Sequence, residues 1–151
     1  MTANKLVRIA LIAAVYAAVT VVMAPFSYGM IQVRVSEALT VLPFIFPESV
    51  LGLFIGCLIA NIYGGLGAVD IVFGSLSTLA AGYLTSKMPS MVLAPLPPVV
   101  VNAVVVGLIL KYVLGMPLLT SMIYVGLGQL LACYFLGLPL LYLLKRYDWY
   151  R

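Results

Sequence analysis

The sequence contains no histidine, and its two cysteines, Cys57 and Cys133, stand far apart in separate apolar runs. Zinc and similar metals are bound mostly by clustered His and Cys side chains. A disulfide scaffold needs several cysteines in a short secreted chain. The composition therefore excludes a histidine or multi-cysteine metal site and a disulfide framework, and we expect no bound cofactor.

Charged residues are also scarce, at 8% of the 151 residues, whereas apolar residues make up 65%. A soluble domain carries about 25% charged residues. The excess of eight Lys and Arg over four Asp and Glu would suggest nucleic acid in a soluble protein, but in a chain surrounded by lipid it sets orientation. The composition predicts an all-α integral membrane protein whose surroundings are membrane lipids, with no nucleic acid partner.

Uncharged stretches of the chain indicate where it crosses the membrane, because a spanning helix needs about 20 apolar residues. We predict that residues 1–151 form a single domain, a compact bundle of six transmembrane helices. The predicted spans are residues 6–24, 36–47, 49–63, 70–86, 97–112 and 119–144. The second and third are too short to cross a full bilayer upright, so they need a thinned bilayer or burial against longer neighbours.

The basic residues favour one orientation of this bundle. An inside N-terminus places only Arg34 and Lys111 outside, which satisfies the positive-inside rule. The basic residues then inside are Lys5, Arg8, Lys87, Lys145, Arg146 and Arg151. We therefore predict that both termini are cytoplasmic. The alternative is a cleaved signal peptide, but the first apolar run, which continues to Met23, is longer than a signal peptide needs.

The first predicted span carries small residues at helical spacing. Ala10, Ala14 and Ala18 recur every fourth residue, and Ala13 with Ala17 forms a second row beside them. Helices associate in lipid through such residues, because apolar area alone gives no preference for protein over lipid tails. This alanine stripe predicts either a docking surface for a partner or packing against the other spans of the chain.

Polar residues within the spans carry the functional signal, because ionisable groups at membrane depth are costly and usually serve a task. In the predicted topology, one group meets at the outer ends of three spans and two further residues lie deeper. The outer residues are Gln32, Arg34, Glu37, Asn61, Tyr63 and Asp70, and the deeper ones are Asn102 and Gln129. Together they predict a substrate pocket that is open to the outside and closed below by apolar side chains.

Some of these charges have simpler explanations. Arg34 and Glu37 could form an interfacial ion pair, and Asp70 could cap a helix N-terminus, where a carboxylate is favoured. Glu48, on the opposite membrane face, is predicted to cap the third span. An enzyme is disfavoured, because Asp70 and Asp148 lie on opposite sides in this topology and cannot form an aspartyl dyad.

Four segments of the chain resemble one known family. They read QVRVSEALTVLP at 32–43, GCLIAN at 56–61, DIVFG at 70–74 and GLGQ at 126–129. With the alanine-rich first span, they resemble the QueT family of queuosine-precursor transporters, which are substrate-binding S components of energy-coupling factor (ECF) transporters. The resemblance extends over nearly the whole chain, and it implies a multi-pass protein of the bacterial cytoplasmic membrane.

The resemblance also implies a division of labour. The S component captures a 7-deazaguanine such as preQ0, preQ1 or queuine and tips over in the membrane to deliver it. A transmembrane coupling (T) protein and two ATPases supply the energy, and this chain has no GxxxxGK[ST] phosphate loop of its own. The alanine stripe is then the expected docking face. The alternatives are an S component for another vitamin-like compound and a stand-alone proton-coupled carrier or channel.

Overall fold

The computed structural model describes residues 2–28 and 33–147, and all regular structure within them is helical. The helices in chain order are α1 (Ala3–Val22), α2 (Ala24–Ser27), a 3-10 helix (Val35–Phe44), α3 (Ser49–Gly64), a π-helical turn (Asp70–Gly74) that leads into α4 (Ser75–Thr85), α5 (Leu96–Leu114), α6 (Leu118–Leu130), a second π-helical segment (Leu131–Gly137) and α7 (Leu138–Arg146). These bounds lie close to those of the spans predicted from the sequence.

Three of the helical stretches are long and apolar enough to cross a membrane: Ala3–Val22, Leu96–Leu114 and the continuous Leu118–Arg146. Val35–Phe44 and Ser49–Gly64 are apolar but shorter. Large apolar side chains remain on the outside of the bundle, among them Leu119 at 72% and Phe135 at 73% exposure, which suits lipid rather than water. The protein is therefore a helical membrane protein, while the count of six spans and the cytoplasmic termini stay predictions.

The second predicted span is a 3-10 helix of 10 residues. Runs of 3-10 helix beyond three or four residues are uncommon, and at a rise of about 2.0 Å per residue this one extends about 20 Å. Most of its side chains are buried, including Glu37, Thr40 and Pro43. This segment lies inside the bundle and carries Glu37 there.

Helices α1 and α3 pack with their backbones close together. A Cβ added at Gly52 would lie 2.7 Å from the carbonyl oxygen of Ile9, and one added at Gly56 would lie 2.8 Å from that of Ala13. Glycines four residues apart allow this close approach, as in other membrane helix pairs. The two glycines thus determine which face of α1 lies against the bundle.

On that face of α1, polar side chains contact the 3-10 helix. Ile12, Tyr16 and Thr20 recur every fourth residue and are buried, which puts them on one side of the helix. The hydroxyls of Thr20 and Ser36 are 2.6 Å apart and share a hydrogen bond. The tyrosine in the middle of this row reaches Glu37.

The glycine-rich turn after α3 brings distant polar residues together. Gly65 and Gly67 adopt φ angles of 71° and 94°, a left-handed backbone region that favours glycine. The chain reverses there, and the amide of Asn61 donates a hydrogen bond to the backbone oxygen of Asp70 at 3.1 Å. The turn thus places Asp70 beside the end of α3.

Candidate functional site

Glu37 lies at the centre of a buried polar cluster. The hydroxyl of Tyr16 donates a hydrogen bond to Glu37 Oε1 at 2.5 Å, and Asn102 Nδ2 donates one to Oε2 at 3.2 Å. Ser77 holds Asn102 in turn, because its hydroxyl donates to Asn102 Oδ1 at 2.9 Å. We call Tyr16, Glu37, Ser77 and Asn102 the Glu37 cluster. Each oxygen of its carboxylate has a hydrogen-bond donor.

Arg34 organises a second buried cluster. Its Nη1 donates a hydrogen bond to Asn61 Oδ1 at 3.0 Å, and its Nη2 lies 3.7 Å from Asp70 Oδ2. The first distance is a hydrogen bond, whereas the second is a charge pairing outside the usual hydrogen-bond range of about 2.7–3.2 Å. We call Arg34, Asn61 and Asp70 the Arg34 cluster. It joins the chain before the 3-10 helix to α3 and to the π-helical turn.

The segment before Arg34 supports its guanidinium. Arg34 Nε donates to the backbone oxygen of Ser27 at 3.3 Å, and the guanidinium carbon lies 5.4 Å from the centre of the Tyr28 ring. The Tyr28 hydroxyl donates to the backbone oxygen of Ala60 at 2.5 Å. A cation over an aromatic face is attracted to it, so Tyr28 helps to fix the guanidinium.

The π-helical turn connects the two clusters. The backbone oxygen of its last residue, Gly74, lies 2.7 Å from the Ser77 hydroxyl, which shares its single proton between this oxygen and Asn102 Oδ1, and accepts from the Thr78 hydroxyl at 3.3 Å. Its first residue, Asp70, belongs to the Arg34 cluster, while Ser77 belongs to the Glu37 cluster. π-Helical turns occur frequently at functional sites, and this one holds the two clusters next to each other.

The two clusters form a closed layer, whereas the sequence predicted an open pocket. Arg34 is 4% exposed, Glu37 is 1% exposed, and Asn61 and Asp70 are fully buried. Buried charges are costly unless they are paired. In this conformation Arg34 contacts Asn61 and lies beside Asp70, while Glu37 accepts hydrogen bonds from Tyr16 and Asn102. A ligand that reaches them must first separate some of these contacts.

The other residues predicted for this site are spread more widely. Gln129 is buried, and its Oε1 accepts a weak hydrogen bond at 3.6 Å from the thiol of Cys133, which lies 3.4 Å from the backbone oxygen of Glu37. Tyr63 is 66% exposed and is not part of the buried layer. Gln32 lies outside the described residues. The structure therefore brings together Arg34, Glu37, Asn61, Asp70, Asn102 and Gln129.

Two members of the Glu37 cluster, Tyr16 and Ser77, were not among the residues predicted from the sequence. A signal for Tyr16 was present, because it stands four residues from both Ile12 and Thr20 on one face of α1. Ser77 had no comparable signal, since serine is common in membrane helices. Its contact with Asn102 depends on how α4 and α5 pack.

Comparison with known proteins gives this layer a context. Residues 6–146 match the family model described as QueT transporter. The chain belongs to this family. A queuosine precursor transporter QueT from Lactococcus lactis subsp. cremoris (strain MG1363) is 40% identical over 76 residues, which cover 49% of this chain and 44% of that protein. No solved structure matches the chain.

For a member of the QueT transporter family, the relevant property of the buried layer is what it can bind. Because the family is one of transporters, we do not interpret the two buried carboxylates as catalytic acids. Among the described residues, no three His, Cys, Asp or Glu side chains come together as metal ligands. Carboxylates accept hydrogen bonds, a guanidinium donates them, and amides do both. The layer can therefore bind a small polar molecule.

The alanine stripe of this QueT-family chain divides into two rows with different surroundings. Ala10, Ala14 and Ala18 are exposed, whereas Ala13 is buried against Gly56 of α3 and Ala17 is partly buried. Ala13 therefore belongs to the internal packing of the bundle in this conformation. The exposed row is the part of the stripe that a partner can reach.

Glu48 stands at the N-cap position of α3, as predicted, but its side chain does not cap the helix. Its side chain makes no hydrogen bond to the N-terminus of that helix. Its Oε1 instead accepts a hydrogen bond from Arg8 Nη1 at 2.7 Å, and the Arg8 guanidinium lies 4.2 Å from the centre of the Phe46 ring. A charge-assisted bond to arginine is stronger than a neutral one to a backbone amide, and α1 brings Arg8 within reach.

Proposed function

We propose that this chain is the substrate-binding S component of an ECF importer and captures a 7-deazaguanine, such as preQ0, preQ1 or queuine, from outside the cell. The observation that carries the proposal is the buried layer of two carboxylates, an arginine and two amides inside an apolar helical bundle of the QueT transporter family. Such groups are costly at membrane depth and usually serve transport or binding.

The chemistry of the layer suits a guanine-like edge. That edge presents N1–H and an exocyclic amine as adjacent donors, with a carbonyl acceptor beside them. A carboxylate accepts from both donors, and an arginine or amide donates to the carbonyl. Glu37 and Asp70 are the candidate acceptors, and Arg34, Asn61 and Gln129 are candidate partners for the carbonyl. The related Lactococcus lactis protein is named as a queuosine precursor transporter, which supports this ligand class.

Energy for uptake comes, in this proposal, from a T protein and two ATPases. Their contact would be the exposed row Ala10, Ala14 and Ala18 on α1, where a partner helix can approach closely. Both termini would lie in the cytoplasm of a bacterial cell, with six spans crossing the cytoplasmic membrane. A stand-alone carrier, in contrast, would transport without ATPases.

Calorimetric titration of the purified chain with preQ1 or 7-deazaguanine tests the binding role. We expect Glu37→Gln and Asp70→Asn each to weaken binding at least about tenfold, because a hydrogen bond to a charged group contributes roughly 1.5–3 kcal/mol. Glu48→Gln is the matched control, since it removes a carboxylate outside the layer, and it should stay within about threefold of wild type. The placement of the site fails if Glu48→Gln is the sensitive variant.

Uptake and co-purification test the assignment as an S component. A bulky side chain in the exposed row must hold two helices apart, and lost close packing in lipid has no hydrophobic gain to offset it. We expect Ala14→Trp to abolish uptake and recovery with the T protein while ligand affinity of the isolated chain stays near wild type. Ala80→Trp, the same change at an exposed position of α4, should do neither. Uptake that needs no ATPase would contradict the proposal.

A further inference from the structure

The two buried carboxylates differ in how completely their hydrogen bonds are satisfied. Among the described residues, five buried side-chain polar atoms have no hydrogen-bond partner, and three of these are Arg34 Nη2, Asp70 Oδ1 and Asp70 Oδ2. Glu37, by contrast, has a donor on each oxygen, from Tyr16 and from Asn102. A buried polar atom without a partner costs about 1–3 kcal/mol, so such atoms in one cluster mark a site.

The contacts of Arg34 define which of its donors is unused. Nε donates to the backbone oxygen of Ser27 and Nη1 donates to Asn61 Oδ1, and the Tyr28 ring lies against the guanidinium. Nη2 therefore faces Asp70 Oδ2 at 3.7 Å and has no hydrogen-bond partner in the described part of the chain. The other donors of the arginine are used within the protein, so Nη2 is the group that can bind a ligand.

Asp70 is held just as closely. A Cβ added at Gly74 would lie 2.7 Å from Asp70 Oδ1 and 2.9 Å from Asn61 Nδ2. The carboxylate thus occupies space that is available only because residue 74 is glycine. Asn61 Nδ2 donates to the backbone oxygen of Asp70, and among the described residues neither carboxylate oxygen has a hydrogen-bond donor.

We propose, on the basis of the proposed function, that Asp70 and Arg34 read the guanine edge of the ligand and that Glu37 is a positioning residue. Two unpaired acceptors and one unpaired donor are the complement of a guanine edge, which has two donors and one acceptor. The ligand edge replaces the loose contact between Arg34 and Asp70 with hydrogen bonds to each. Glu37 acts through Asn102 and Tyr16, which orient the layer around it.

If Asp70 contacts the guanine edge, its substitution should change ligand selectivity. Substitution of an aspartate with only a structural role should not. 7-Deazahypoxanthine lacks the exocyclic amine, and 7-deazaxanthine carries a carbonyl acceptor in its place. Asparagine at position 70 can accept from N1–H and donate to that carbonyl, so it suits the xanthine edge better than the guanine edge. The ratio of affinities therefore reports on Asp70 directly.

The experiment is a competition titration of the full chain in nanodiscs with 7-deazaguanine, 7-deazahypoxanthine and 7-deazaxanthine. We expect wild type to prefer 7-deazaguanine over each of the others by at least about tenfold, since a missing or mismatched buried hydrogen bond is costly. Asp70→Asn should shift the guanine-to-xanthine ratio by at least about thirtyfold towards xanthine. If that variant does not fold, Asp70→Ser must still remove the preference for the amine.

Glu37 variants separate positioning from reading. Glu37→Gln places an amide group against Asn102 Nδ2. It should weaken the binding of all three ligands by a similar factor, so the ratios of their affinities stay unchanged. The double variant Glu37→Gln/Asn102→Asp restores this contact with its groups exchanged, and it should recover affinity to within about fivefold of wild type.

The possible outcomes are distinct. If wild type binds 7-deazaguanine but Asp70→Asn weakens all three ligands equally, the assignment of Asp70 is wrong and the proposed function stands. If Glu37→Gln changes the ratios instead, Glu37 reads the edge and the roles are reversed. If wild type binds none of the three, both the proposed function and this inference fail.

Discussion

Two pairs of an arginine and a carboxylate in this molecule are built in opposite ways. Arg8 and Glu48 meet at 2.7 Å, with side chains 35% and 11% exposed. Arg34 and Asp70 stand 3.7 Å apart, although their side chains are only 4% and 0% exposed. The partly exposed pair has good hydrogen-bond geometry. The buried pair, where good geometry matters more, has three polar atoms that find no hydrogen-bond partner within residues 2–28 and 33–147.

The difference in geometry between the two ion pairs indicates that they have different roles, one in stability and one in function. A buried ion pair recovers its desolvation cost only when the geometry is excellent and the remaining lone pairs are satisfied. The Arg34–Asp70 pair does not meet this condition, so folding alone does not explain why two charges lie there. The proposed binding of a polar ligand would explain it, because the same atoms would then gain hydrogen bonds.

Removing each arginine should give the largest contrast between the two pairs. Arg34→Met leaves Asp70 as a buried charge without its partner, and we expect a loss of about 3–5 kcal/mol in the free energy of unfolding. Arg8→Met removes a partly exposed pair, and we expect a loss of about 1 kcal/mol or less. Denaturant unfolding in detergent micelles, followed by circular dichroism, measures both.

A double variant sharpens this contrast. Arg34→Met/Asp70→Asn contains no unpaired charge, so its stability should return most of the way to wild type, while ligand binding stays lost. Recovery of binding together with stability would show that neither side chain contacts the ligand. An Arg34→Met variant as stable as wild type would mean that the buried pair is not electrostatically coupled.

Glycine substitutions in one continuous helix test the buried pair without changing any charge. Gly74→Ala places a Cβ 2.7 Å from Asp70 Oδ1, whereas Gly82→Ala places one no closer than 3.6 Å to Pro43 or Val50. We expect Gly74→Ala to weaken ligand binding about tenfold, since the carboxylate must move. Gly82→Ala should stay within about threefold of wild type, because an ordinary contact needs no such shift. Equal effects in calorimetry would indicate a general change in the helix.

The extent of the helices was predictable from the sequence because it depends on local features. Long apolar stretches, the glycine turn at 64–67 and the prolines at the start of α5 (Pro95, Pro97 and Pro98) all act on neighbouring residues. The 3-10 geometry of Val35–Phe44 was not predictable, since the apolar pattern fits either kind of helix. The close packing of Gly52 and Gly56 on α1 carried a signal in their spacing, but spacing alone does not identify the partner helix.

The candidate site was predictable as a set of buried polar residues and not as a geometry. Rarity of polar groups in apolar spans pointed to Arg34, Glu37, Asn61, Asp70 and Asn102, all of which meet in the structure. Which carboxylate is satisfied depends on donors from other helices, such as Tyr16, and no single segment encodes that. The closed layer was missed for the same reason, because mutual pairing follows from packing.

The smallest expected effect belongs to the Arg8–Glu48 pair, and salt can reveal it. Partly exposed ion pairs contribute roughly 0.2–1 kcal/mol and are screened by salt. Raising the ionic strength should therefore lower the thermal midpoint of wild type by about 1–3 °C relative to Glu48→Gln. Arg8 also lies over the Phe46 ring, a contact that Glu48→Gln retains, so the comparison isolates the carboxylate. A Glu48→Gln variant with weakened ligand binding at low salt would contradict the separation, because it would mean that the two pairs are coupled through α1.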